Sequence, residues 1–107
     1  REQKTVSEKQ AEYQKFNRQG IRLYQQGQYE QAKDAFTVAQ SFAPVNTGVA
    51  INLLQCILKV LDMQAKPEPL MVKECRRLHR LMDNMPLRPH HQKRYEEIRE
   101  ELEAHLE

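Results

Sequence analysis

The side chains that most invite a chemical reading are four histidines, two cysteines and a run of arginines. His90 and His91 are adjacent, so on a helix they diverge by about 100° and do not readily share one ion. His79 and His105 stand alone in the sequence, and such histidines are surface or partly buried polar residues more often than catalysts. Cys56 and Cys75 sit in apolar helical patterns with no second cysteine or histidine at metal-ligand spacing. They read as small core residues in a reducing compartment. There is no Gly-rich phosphate loop, no Ser/His/Asp grouping and no carboxylate pair on an apolar wall. The expectation is therefore a protein without catalysis, metal or cofactor.

The cations carry a clearer pattern. Lys73, Arg76, Arg77 and Arg80 recur at three, four and seven, which places them on one face of a helix, with Arg88, Lys93 and Arg94 close by. Such a patch suits an acidic partner, or the phosphates of nucleic acid or a nucleotide. Against nucleic acid stand the lack of interleaved aromatics for base stacking and a formal charge of only +2. The plainer reading is a solvated basic face that offsets the acidic last segment.

These residues must be positioned by helices, because glycines and prolines divide the chain into segments of helical periodicity. Ser7 and Gln10 suit a capping box ahead of Tyr13, Phe16, Gly20, Leu23 and Tyr24, and Gly27 is a natural left-handed stop. Tyr29, Ala32, Phe36, Ala39 and Phe42 predict a second helix, closed by Pro44. Asn46 caps a third, whose Val49, Ala50, Leu53, Leu54, Ile57 and Leu61 are joined by Ile51 and Leu58 on a neighbouring face. A helix this apolar belongs at the centre. Met71, Cys75, Leu78, Met82 and Met85 mark a fourth helix, and Tyr95, Ile98, Leu102 and Leu106 a fifth over residues 90–107. At 107 residues the chain is one domain, 1–107.

Gly20, Ala32, Phe36, Ala39 and Pro44, with Phe16 before them, have the small, small, aromatic, small and proline spacing of a tetratricopeptide repeat over residues 13–46. The chain resembles that family. A degenerate second repeat spans 47–86, its loop about eight residues too long, and 90–107 is a terminal or capping helix. The stretch "VNTGVAINLLQCILKVLD" after "AP" also looks like the repeat region of bacterial response-regulator proteins that carry a receiver domain. The implied fold is all-α, antiparallel hairpins stacked as a short right-handed superhelix. The implied function is a non-catalytic protein-interaction module in bacterial signal transduction, binding a peptide or protein partner or forming a homodimer. The alternative is nucleic-acid or nucleotide binding through the basic patch Lys73, Arg76, Arg77, Arg80 and Arg94.

In that family the first helix of each pair lines a concave groove. The resemblance thus points to Asn17, Ile21, Tyr24 and Gln25, and to Gly48, Ile51, Asn52, Gln55, Leu58 and Lys59. Ile51 and Leu58 have a second reading, burial beneath the fifth helix. Some family members hold a partner's terminal carboxylate in a clamp of lysines, asparagines and an arginine. Asn52 and Arg94 fall on clamp positions, but Asn17, Ile21 and His90 do not carry the required residues, so a chaperone-tail receptor is not expected. No apolar run reaches the roughly 20 residues of a membrane span, and no signal-peptide core follows Arg1. A cytoplasmic location is expected, and the polar start without Met reads as a segment of a longer protein.

Overall fold

Thr5 opens the first helix. Its hydroxyl accepts the Glu8 N–H at 3.2 Å, while the Glu8 carboxylate accepts the Thr5 N–H at 3.1 Å, a complete capping box. Ser7 and Gln10, expected to form this box two residues later, lie inside the helix. Both pairs have the right spacing, but a carboxylate is favoured over an amide at the positive end of the helix dipole. In the computed structural model, which describes residues 5–106, the helix is α1 (Val6–Gln25). Gly27 ends it with φ +79°: its N–H donates to Tyr24 O and the Gln28 N–H to Leu23 O, the paired bonds of a Schellman stop.

The remaining helices are α2 (Tyr29–Phe42), α3 (Thr47–Asp62), α4 (Pro69–Asn84) and α5 (Pro89–Leu106). Asn46 caps α3 by accepting the Val49 N–H at 3.1 Å. Pro69 and Pro89 each take the first helical position, where the missing N–H costs nothing. The described residues are all-helical or loop, with no strand, and none of their helices is long and apolar enough to cross a membrane.

Short turns fold α1 with α2 and α3 with α4 into hairpins. The second stacks on the first, and α5 lies against α3 and α4. The first helices also touch one another in succession, α1 to α3 and α3 to α5. α3 is the shared element: ten of its residues are buried, including both apolar faces seen in the sequence.

The α1–α2 crossing depends on Gly20, the one buried residue of α1. A Cβ placed there would lie 2.6 Å from Cε1 of Phe36, so the ring occupies the space a side chain would need. We expect Gly20→Ala to destabilise the fold and Gly20→Leu to do so by about 1–3 kcal/mol or more, read by urea denaturation. Gly27 has open space around it, so Gly27→Ala should cost only the backbone strain of its positive φ, about 1 kcal/mol. Equal effects at the two glycines would contradict this account of the crossing.

Candidate functional site

The predicted groove residues divide into three groups. Ile21, Tyr24, Gln25, Asn52 and Gln55 line one hollow of about 270 Å³ between α1, α3 and α5, together with Phe36 and Arg94. Ile51 and Leu58 do not line it. They are 0% and 2% exposed and belong to the core. This corrects the groove assignment for both: helices pack on both flanks of α3, so its second apolar stripe is covered rather than offered to a partner. The rest lie apart: Lys59 is exposed, and Asn17 and Gly48 line a larger opening.

Arg94 gives the groove its internal order. Its guanidinium donates to Asn52 Oδ1 at 2.9 Å and to Gln55 Oε1 at 2.6 Å, and Asn52 Nδ2 donates on to Asn17 Oδ1 at 3.1 Å. One polar chain therefore crosses from α5 through α3 to α1, satisfying groups that would otherwise be costly beside the core. This also corrects the grouping of Arg94 with the basic patch of α4, because its charge is directed at α3.

Beyond that bridge opens a larger cleft of about 960 Å³. Its lining mixes polar side chains, among them Asn17, Thr47, Asn52, Arg88, His90, His91 and Arg94, with the apolar Tyr13, Phe42, Val45 and Met85. The N-terminal halves of α1, α3 and α5 meet here, so the positive ends of α3 and α5 add to the arginines. His91 packs on the first turn of α3: its ring atoms come within 3.3 Å of the Cβ position of Gly48, and Nδ1 lies 2.9 Å from the Thr47 hydroxyl. The expected divergence of His90 and His91 is not seen, since the ring centroids are 4.1 Å apart in the first turn after Pro89.

Two of the four cations of α4 are engaged with the protein itself. Arg77 donates to both carboxylate oxygens of Glu74 at 2.7 Å and to the Oε1 of buried Gln40, whose Nε2 has no partner among the described residues. Arg76 reaches the Leu106 carbonyl at 3.4 Å, while Lys73 and Arg80 are exposed. Nor are the other histidines isolated in space. His79 lies 3.4 Å from both Asp83 and Glu103, and His105 lies 3.2 Å from Asp62. Cys56 and Cys75 are fully buried, which pushes each thiol up to about 12 and leaves them protonated and unreactive at neutral pH.

Comparison with protein-family models, curated proteins and solved structures finds no match to the chain. The site therefore has to be read from its own geometry. The sequence points to most of the smaller hollow but not to Val45 or Met85 as part of the larger cleft. Val45 lies between helices, and Met85, expected in the stripe of the fourth helix, stands just past its end, where periodicity no longer tells which way a side chain faces.

Burial, then the charges of His90, Arg94 and Arg88, push the His91 imidazole below its ordinary 6.5. The unfolded chain thus takes up this proton at a higher pH than the fold does. The stability from a neutral His91 is complete above about pH 6.5 and declines as pH falls from there towards the lower folded value. Melting temperature should drop between about pH 7.5 and about pH 5.5, and His91→Gln should drop less than the wild type. Identical pH profiles for the two proteins would rule out His91 as a source of the acid sensitivity.

Proposed function

We propose that this chain is a protein-interaction module that seats an extended acidic segment of a partner protein in the cleft between α1, α3 and α5. The observation that carries the reading is the composition of that cleft. It is a concave surface lined by Arg88 and Arg94, two imidazoles and the starts of two helices, together with apolar side chains. An extended peptide offers backbone groups to the amides of Asn17 and Asn52 and carboxylates to the arginines.

The tetratricopeptide resemblance supports the same reading. The glycine-to-aromatic contact between Gly20 and Phe36 follows the small-residue logic of that repeat. The Asn17–Asn52 bond joins first helices at residues 35 apart, close to one repeat of 34. On this reading the module acts by presenting a surface, without catalysis, as the regulatory part of a bacterial signalling protein of the response-regulator kind working in the cytoplasm.

Displayed random peptides selected on the full chain should be enriched in Asp and Glu. The best of them should bind Arg88→Glu about tenfold more weakly by fluorescence anisotropy, a charge reversal worth about 1.4 kcal/mol. Arg88 is exposed, so the variant should keep the wild-type circular dichroism and melting temperature. Peptides without acidic enrichment, or affinity unchanged in Arg88→Glu, would move the interaction away from this cleft.

A further inference from the structure

At the opposite end of α3 and α5 the polarity reverses. Asp62 is the last residue of α3, and Glu101 and His105 stand one turn apart on α5. One ligand atom from each of the three lies within 4.8 Å of the others, and His105 Nε2 is 3.2 Å from Asp62 Oδ1. We propose that Asp62, Glu101 and His105 bind one divalent first-row transition cation of the zinc class, fastening the C-terminal end of α3 to the last turns of α5.

The donor set favours this chemistry. One imidazole and two carboxylates suit zinc-like ions better than magnesium or calcium, which prefer all-oxygen cages. Metal–donor bonds of about 2.1 Å at tetrahedral angles place donor atoms about 3.4 Å apart, close to the observed His105–Asp62 separation. Glu101 and His105 at i and i+4 share a helix face, a spacing that lets two side chains converge on one ion. Three protein donors leave a position for water, and both carboxylates are open to solvent, so an ion has a path in.

The electrostatics call for a cation. The side-chain oxygens of Asp62 and Glu101 converge beside the His105 imidazole. Two carboxylates this close repel one another, and a cation held between them relieves that repulsion. The carbonyl ends of α3 and α5 add negative potential. Lys59 and His105 offset part of it at Glu101, and Arg76 meets the Leu106 carbonyl. A bound divalent ion balances the two carboxylates. Arg94 is eleven residues before His105, about 16 Å along the helix, so the ion would fix the far end of the helix that orders the groove. The inference stands independently of what the groove binds.

The test is calorimetric titration of zinc chloride into the chelator-treated full chain. It is run beside Asp62→Asn, His105→Ala and, as a control, the double variant His90→Ala, His91→Ala. Wild type and control should each bind one equivalent and melt at higher temperature with zinc, while either site variant binds about tenfold more weakly or worse. Asp62 and His105 are at least partly exposed, so circular dichroism should show both variants folded. Absence of a one-equivalent site in the wild type, equal affinity in His105→Ala, or loss only in the His90/His91 control would each overturn the proposal. So would magnesium binding as tightly as zinc, because the imidazole would then contribute nothing.

Discussion

Everything in this molecule is arranged around a helix that cannot face water. α3 buries ten of its sixteen residues, on more than one side, and no other helix buries more than five. Full burial of a large aliphatic side chain contributes about 1.5–3 kcal/mol, so leaving either flank of α3 exposed would cost more than the net stability of a small domain can absorb. α2 covers one flank, and α4 and α5 cover the rest. α1 is the least committed to the core. Tyr13, Phe16, Leu23 and Tyr24 are half-buried, Val6 and Ile21 are exposed, and Gly20 lets the helix sit directly on Phe36 of α2.

That packing also sorts the charges. With a formal charge of only +2 over 107 residues, nothing in the composition announces a polarised molecule. Yet α3 and α5 start at the same end of the stack. Their positive ends meet Arg88, Arg94, His90 and His91, while their carbonyl ends meet Asp62 and Glu101. One end gathers cationic side chains and the other carboxylates, and backbone dipoles reinforce the side chains at both. The basic face of α4, the most conspicuous charge pattern in the sequence, is by contrast partly consumed: Arg77 is tied to Glu74 and Gln40.

The legible parts of the sequence were those written in short-range chemistry. Gly27, Asn46 and the prolines at 44, 69 and 89 mark where helices start and stop, and the stripes Met71, Cys75, Leu78, Met82 and Tyr95, Leu102 are buried as their spacing requires. The capping box was shifted because two overlapping pairs satisfied one pattern. Ile51 and Leu58 were ambiguous because periodicity shows that a helix has a second apolar face but not whether a neighbour covers it. Arg94, and the meeting of Asp62 with Glu101 and His105, were beyond local reading: the partners are 39 to 43 residues apart, and only the hairpin stack brings them together.

The register of that meeting explains why groove and acidic cluster belong to one design. Gln55 and Arg94 are 39 residues apart, and so are Asp62 and Glu101, so α3 and α5 run parallel with a constant offset. On α5, Arg94, Glu101 and His105 are separated by seven and eleven residues, which returns each to within about 20° of the same face. Tyr95 and Leu102, also seven apart, form the adjacent stripe and are the only α5 side chains fully in the core. Burial of that pair supplies most of the attachment, since exposed polar contacts contribute only about 0–1 kcal/mol each. The polar stripe instead fixes rotation and sliding. A slip of one residue would turn Tyr95 and Leu102 by about 100° out of the core and carry Arg94 off Asn52 and Gln55 together with His105 off Asp62. Contacts at the two ends of α5 are thus made or lost as a unit, and whatever stabilises one end holds the other in place.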